Sequence, residues 1–135
     1  MNYKLTEETI IIQGHELHRI ECVESFNCIN KGDKGGYIES EKNLSQDGEA
    51  WVFGNAKVFG NAEVRDETDY IVFKNSWSSG RYFTWTKSND KWKVGCFYGT
   101  GDELIRKAYK DSEICGKHYE AYVRLVDTLN KIHEE

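Results

Sequence analysis

The residues best suited to binding chemistry lie in the middle of the chain, between Lys74 and Lys87. A serine-rich loop at 76–80, which ends in a glycine, can hold phosphate oxygens through hydroxyls and backbone amides. Arg81 directly after it offers a two-pronged donor. The aromatic rings around Arg81 can stack on nucleic-acid bases. We therefore predict a ligand-binding site composed of Lys74, Trp77, Ser79, Arg81, Tyr82, Trp85 and Lys87.

The same stretch also has a purely structural interpretation. Alternating aromatic residues on a half-buried strand usually belong to a hydrophobic core. Residues 81, 83 and 85 would point to one side of such a strand and residues 82, 84 and 86 to the other. Neither side is wholly apolar. We expect one side to meet helices of the same chain and the other to meet a ligand or a partner.

Charge is spread unevenly along the 135 residues, although the net charge is only −5. Residues 1–69 hold 14 acidic and seven basic side chains, whereas residues 70–100 hold one acidic and five basic side chains. An acidic chain is a poor general binder of duplex DNA, because neutralisation of phosphates dominates that affinity. A local pocket for one anion in the basic middle third remains compatible with this balance.

Catalytic and metal-binding patterns are weak. His15 and His18 are three residues apart and would face opposite sides of a strand, so we predict no metal site there. The paired acids Asp102 and Glu103 suit the start of a helix, where negative charge is favoured without any catalytic role. The four cysteines match no zinc spacing, and we expect free thiols. We predict no enzymatic activity, no catalytic residue, no metal and no cofactor.

A six-residue repeat is the clearest pattern in the sequence. Residues 50–55 read AWVFGN, residues 56–61 read AKVFGN and residues 62–64 read AEV. A six-residue period with Gly-Asn at its corners is typical of a hexapeptide β-helix. Its small and aliphatic residues fill the interior, while Trp51, Lys57 and Glu63 are expected to point outwards. The predicted interior residues, also candidates for oligomerisation, are Leu44, Ala50, Val52, Ala56, Val58, Ala62 and Val64.

These repeats, together with the segments GGYIE at 35–39, NLS at 43–45 and GCFYGT at 95–100, resemble a family of phage and prophage proteins. Members of that family join a left-handed hexapeptide β-helix of variable length to a short N-terminal hairpin and an α/β tail. About five hexads, Ile38 to Glu67, make fewer than two coils of three hexads each. The ends of so short a stack must be capped by flanking elements, by other subunits, or by both. Many left-handed β-helix proteins are trimeric acyltransferases, but this array lacks the histidine that their chemistry uses.

The flanking segments predict conventional elements. Residues 3–24 read as a strand hairpin that turns at Gln13-Gly14, and residues 25–36 as a loop. Residues 70–98 read as three strands, 70–74, 81–87 and 92–98. A helix capped by Thr100 or Asp102 should end near Cys115-Gly116. Its predicted apolar face is Leu104, Ile105, Ala108 and Tyr109, and that of a second helix is Tyr119, Tyr122, Val123, Val126, Leu129 and Ile132.

The predicted fold is mixed α+β, in three units. Residues 1–36 form the hairpin and loop, residues 37–69 the left-handed parallel β-helix stub, and residues 70–135 a three-stranded sheet with two helices. We expect a homo-oligomer, a trimer or a multiple of it. No apolar run approaches the roughly 20 residues of a membrane span. We therefore expect a cytoplasmic protein, in the host cell if it is phage-encoded.

Three functions fit these features. The first is a counter-defence protein that sequesters a small anionic, nucleotide-type host immune signal at a subunit interface. The second is an inhibitor of a host defence nuclease or CRISPR effector that acts through the acidic surface. The third is a structural or virion assembly module with the array as its stem.

Overall fold

The computed structural model describes residues 1–134, so Glu135, the last residue of the predicted C-terminal unit, lies outside the described part. The described chain is mixed α+β, with two four-stranded sheets and two helices. The first sheet has the strand order β1-β2-β3-β4, and the second has the order β5-β6-β7-β8. Neither described helix is both long enough and apolar enough to cross a membrane.

The N-terminal hairpin is confirmed. Strands β1 (Tyr3–Ile12) and β2 (His15–Cys22) pair antiparallel around Gln13 and Gly14, both of which have positive φ. The predicted loop 25–36 is wrong at its end, because β3 (Lys34–Ile38) already includes Gly35 and Gly36. These glycines let another segment approach closely, since a Cβ on Gly35 would lie 2.4 Å from the Val52 carbonyl oxygen. The hairpin therefore shares one sheet with the start of the repeat.

The repeat segment pairs with itself at a constant offset. Strand β3 pairs in parallel with β4 (Lys57–Val58), joining Tyr37 to Lys57 and Ile38 to Val58. A further parallel bridge joins Leu44 to Val64. Each of these residues thus meets the residue 20 positions later, two more than the 18 expected for three hexads. We call this returning segment, residues 37–64, the repeat circuit. A 3₁₀ turn (Glu41–Asn43) lies within this circuit, and a second (Glu67–Asp69) follows it.

The residues inside this circuit are buried and mostly apolar. All seven residues predicted for the interior of the array are buried. The buried Asn43 side chain spans the circuit, donating to the Ala62 carbonyl at 2.7 Å and accepting from the Ser40 N–H at 3.0 Å. Trp51, expected to face solvent, is instead buried with its ring against Phe26.

The second sheet has one more strand than predicted. Strands β5 (Tyr70–Lys74), β6 (Tyr82–Thr86), β7 (Lys91–Val94) and β8 (Phe97–Gly99) follow one another as antiparallel neighbours. The predicted single strand 92–98 is wrong, because the chain reverses at Gly95, which has φ of +54°. Only one glycine marks this turn in an otherwise strand-like stretch, so the pattern looked continuous.

Two helices cover one face of the second sheet. Helix α1 (Gly101–Asp111) begins at the Thr100 cap, where Thr100 and Glu103 form a reciprocal capping box. It ends at Asp111, with Ser112 as its C-cap, rather than near Cys115-Gly116. Helix α2 (Glu113–Glu134) follows at once. Gly116 lies inside α2, and a Cβ on it would lie only 2.3 Å from the Tyr109 ring. The glycine that suggested a helix end permits close packing of the two helices instead.

The buried helix faces are narrower than predicted. In α1, Leu104, Ile105 and Ala108 are buried as expected, but Tyr109 is exposed. In α2, Tyr119, Val123 and Val126 pack on the sheet, whereas Leu129 and Ile132 are exposed. The predicted apolar stripe of α2 therefore contributes to the core only through its first part.

The opposite face of the second sheet covers the circuit of the repeat. The Tyr70 hydroxyl accepts from the Phe53 N–H at 3.0 Å and donates to the Trp51 carbonyl at 2.8 Å. Thr84 Oγ1 accepts from the Lys57 N–H at 3.2 Å, and Ser88 Oγ accepts from the Glu63 N–H at 2.8 Å. The N–H groups of Phe53, Lys57 and Glu63 in the repeat circuit thus find partners in the same chain, so this edge of the circuit is not left unpaired.

Candidate functional site

A pocket of about 160 Å³ lies where the repeat circuit meets the second sheet. It is lined by residues from β4, from β6 with its preceding residue, and from β7 with its following turn. The lining residues are Lys57, Arg81, Tyr82, Thr84, Lys93 and Gly95.

Strand alternation places the two lysines on the pocket. Lys57 lies between the buried interior residues Ala56 and Val58, so its own side chain points outwards from the circuit. On the second sheet, Thr84 lies directly opposite Lys93, while the neighbouring pair Phe83 and Val94 is turned to the helices. The docking of the two sheets therefore brings Lys57 and Lys93 to one pocket.

Arg81 completes a group of three positive charges. It immediately precedes β6, and its guanidinium lies over Gly95, where a Cβ would be 3.0 Å from Arg81 Nη1. A side chain at position 95 would therefore contact the guanidinium closely, and Arg81 would have to shift by a few tenths of an ångström.

The three cations lack acidic partners. Among the side chains that the structure describes, no carboxylate oxygen lies within 4.0 Å of a charged nitrogen of Lys57, Arg81 or Lys93. Lys57 Nζ donates only to the Asn55 carbonyl, at 3.2 Å. Lys93 is just 4% exposed. Its Nζ makes no hydrogen bond to the described chain and keeps some accessible surface, so the ammonium group is open to an anion in the pocket.

The surroundings of the pocket disfavour the charged forms of Lys57 and Lys93. Burial lowers the pKa of Lys57, and the nearby positive charge of Arg19 lowers it further. Burial also lowers the pKa of Lys93, and Lys57 and Arg81 add to that effect, whereas Cys96 acts in the opposite direction. An anion placed among them would relieve both the repulsion and the loss of hydration.

Of the seven residues predicted for the ligand site, Arg81 and Tyr82 line this pocket. Lys74 lies beside them, with Nζ 5.8 Å from the centre of the Tyr82 ring. Trp77, in the loop before Arg81, is 81% exposed. Ser79 Oγ accepts from the Tyr119 hydroxyl at 2.9 Å, which ties the loop to α2.

The remaining two predicted residues lie elsewhere. Trp85 is buried in the core between the sheet and the helices, and its indole N–H donates to Asp90 at 2.8 Å. Lys87 follows the end of β6 and is exposed. The expectation that one side of this strand meets the helices holds for Phe83 and Trp85. The other side meets the repeat circuit of the same chain.

Lys57, Thr84 and Lys93 are the lining residues that the sequence did not single out. Lys57 was assigned only as an outward position of the repeat. Lys93 carried a usable signal, because the turn at 88–90 sets the register of β6 and β7 and places it opposite Thr84. No local pattern indicated that the repeat would dock on this face.

The lining contains three cationic side chains and two hydroxyls, but no carboxylate and no imidazole. Within the described part of the chain, no group of three or more histidine, cysteine or acidic side chains is arranged to hold a metal ion. All four cysteines are free thiols.

Comparison with known proteins gives no further guide to the chemistry. No protein-family model matches this sequence, and no curated protein matches it.

Proposed function

We propose that this protein is a non-enzymatic binding protein that holds a small, phosphate-bearing anionic ligand in the pocket between the repeat circuit and the second sheet. The observation that carries the proposal is the convergence of Lys57, Arg81 and Lys93 without an acidic partner among the described side chains. Like charges close together are unfavourable, and a bound anion converts that repulsion into attraction.

The size of the pocket limits what it can enclose. Its volume is about 160 Å³. Pockets that enclose a whole drug-sized ligand usually measure about 300–1,000 Å³. The pocket is therefore suited to one anionic group, with the rest of the ligand outside it.

The rim supports a nucleotide-type ligand. Tyr82 lines the pocket and is partly exposed, so its ring is accessible to a base that projects from the bound phosphate. The proposal includes sequestration of a host immune signal of this type, as the resemblance to phage proteins implies. Holding the signal would be sufficient for that role, and no chemical step is needed.

Calorimetry and thermal shift with a panel of anions test the proposal. The panel comprises inorganic phosphate, pyrophosphate, AMP, cyclic dinucleotides and nucleotides derived from NAD. We expect at least one member to bind, and we expect Arg81→Ala and Lys93→Gln to weaken that binding at least about tenfold while the protein stays folded. Lys87→Gln, at an exposed lysine outside the pocket, is the control and should bind like the wild type. Absence of binding by every member would refute the proposal.

We further propose that residues 37–69 form a short left-handed β-helix and that the protein assembles into a homo-oligomer. The constant 20-residue offset, the buried aliphatic residues and the positive φ of Gly48, Gly54 and Gly60 support a coiled β structure. An experimental structure would establish the handedness of the coil. The mass of the native assembly in solution tests the oligomer, and a monomer would contradict it.

A further inference from the structure

The named side chains of the pocket lining are rich in hydrogen-bond donors. They include two ammonium groups, one guanidinium and the hydroxyls of Tyr82 and Thr84. Thr84 Oγ1 already accepts the Lys57 N–H, so its own O–H remains available to donate. A ligand group rich in acceptors therefore suits this space best. Sugar hydroxyls and amides suit it less well, because they carry donors as well as acceptors.

The charge of the lining distinguishes two kinds of phosphate. A phosphomonoester carries close to two negative charges at neutral pH and three terminal oxygens. A phosphodiester carries one charge and two terminal oxygens. Three cations around one small space, one of them only 4% exposed, are matched better by the dianion.

The space available points the same way. A phosphodiester has substituents on two of its oxygens, so both must leave the site through open space. A phosphomonoester has only one substituent, which can project past Tyr82 while the other three oxygens face the donors. In a pocket of about 160 Å³ lined from three strands, a group that is substituted on one side is the better fit.

From this arrangement we infer that the pocket selects a terminal phosphomonoester, or free phosphate, over a phosphodiester. The inference rests on the proposed function and narrows its ligand class. It favours linear nucleotides that end in a phosphate over cyclic dinucleotides, whose phosphates are all diesters.

Three simple probes separate charge from shape. Phenyl phosphate has a dianionic end with three terminal oxygens. Phenyl sulfate has three terminal oxygens and one charge. Methyl phenyl phosphate has one charge and a blocked oxygen. By calorimetry at constant ionic strength and pH 7.5, we expect phenyl phosphate to bind at least about tenfold more tightly than methyl phenyl phosphate, with phenyl sulfate between them.

Variants connect the preference to the pocket. Lys93→Gln should reduce the preference for phenyl phosphate over methyl phenyl phosphate to about threefold or less, because one of the matched charges is lost. Lys87→Gln should leave the preference unchanged. Lys57→Gln provides a second pocket variant if Lys93→Gln is poorly folded, as judged by circular dichroism.

The outcomes separate this inference from the proposed function. Equal affinity for the monoester and the diester, or tighter binding of a cyclic dinucleotide than of AMP, would overturn the inference and leave anion binding intact. Failure of phosphate, AMP, the cyclic dinucleotides and all three phenyl probes to bind would refute both. A preference that survives unchanged in both Lys93→Gln and Lys57→Gln would place the selective site elsewhere and also overturn the inference.

Discussion

At the scale of single residues, Lys93 lies where burial and neighbouring positive charges disfavour its ammonium form. Its side chain is almost completely buried, and its charged neighbours in the pocket are Lys57 and Arg81. A residue whose charged form is disfavoured in the free protein, and would be favoured by a bound anion, is expected where binding and stability conflict.

The first prediction concerns the conflict between the stability of the ligand-free protein and anion binding at Lys93. Lys93→Met replaces the ammonium with an apolar side chain of similar length, so it should stabilise the ligand-free protein by about 1 kcal/mol. A rise of a few degrees in melting temperature is expected, together with loss of anion binding. Scanning calorimetry and titration with phosphate measure the two effects. Lys87→Met serves as the control, and destabilisation by Lys93→Met would show that Lys93 contributes to folding.

The second prediction concerns the pH dependence of binding. Lys57 and Lys93 have pKa values below the usual lysine value, through burial and through Arg19, Lys57 and Arg81 nearby, with Cys96 partly offsetting the shift at Lys93. Anion affinity should therefore fall as pH rises through these lowered pKa values, before exposed lysines lose their charge. A phosphomonoester stays dianionic over this range, so the ligand contributes no change.

Lys93→Arg tests the assignment of that pH effect. A guanidinium keeps its charge at every pH at which the fold can be studied. The fall in affinity, followed by calorimetry between pH 7 and pH 10, should move to higher pH in this variant. The same pH profile in wild type and variant would mean that Lys93 is not one of the titrating groups.

At the scale of elements, the second sheet serves two partners with its two faces. One face carries the aromatic core against the helices, and the other supplies hydroxyls to the backbone of the repeat circuit. Tyr70 is central to the second contact because it both accepts from Phe53 and donates to Trp51. It joins two elements that have no ladder between them in the described structure.

The third prediction tests this contact. Tyr70→Phe should lower the free energy of unfolding by about 2 kcal/mol, because it leaves the Phe53 N–H and the Trp51 carbonyl without their partner. Burial raises the pKa of Tyr70 to about 12, and the charge of Glu67 adds to the rise. Above pH 10 the unfolded chain therefore loses the Tyr70 proton while the folded chain keeps it, and stability falls as pH rises.

Denaturant titrations between pH 8 and pH 11 measure both effects. The wild type should lose stability over the alkaline part of this range, and Tyr70→Phe should lose less of it. Tyr3, whose pKa is also raised by burial, remains in both proteins, so the difference between their slopes belongs to Tyr70. Identical slopes would contradict the raised pKa of Tyr70.

At the scale of the whole molecule, the repeat and the second sheet depend on each other. The fourth prediction is that Val58→Asp, which places an unpaired charge in the interior of the circuit, destabilises the protein by several kcal/mol. Anion binding should be lost as well, since Lys57 is the preceding residue. Asn55→Asp, at an exposed position of the same array, should change stability by no more than about 0.5 kcal/mol. Thermal melts compare them, and a wild-type melt for Val58→Asp would contradict the inward position of Val58.

Much of the fold follows from local pattern in the sequence. The turn at Gln13-Gly14, the Thr100 cap and the six-residue spacing of the buried array residues are all encoded within short windows. The local pattern gave wrong predictions at two single glycines, where the turn or the packing of the folded chain decides the structure. Gly95 turns the chain where a strand seemed to continue, and Gly116 packs inside a helix where an end was expected.

The site was only half predictable for a related reason. Arg81 and Tyr82 stand out through composition, as part of a basic and aromatic stretch. Lys57 lies 24 residues before Arg81, in a different sheet, and only the docking of the two sheets brings it to the same pocket. Trp85 was assigned to the ligand site because its strand seemed to have one free side. That strand is covered on both sides, and Trp85 faces the helices.

The hydroxyl contacts to Phe53, Lys57 and Glu63 also have a consequence for how such a protein could change length. These contacts are made by residues 53–63, and one return of the chain takes 20 residues. Under the proposed β-helical fold, further 20-residue returns inserted ahead of residue 53 would leave these three contacts in place, as in stacked-repeat proteins, while Gln13 would lose its contact with Cys96. The proposed binding pocket would stay with residues 53–63 and the second sheet, so the length of the repeat segment and ligand specificity could evolve independently.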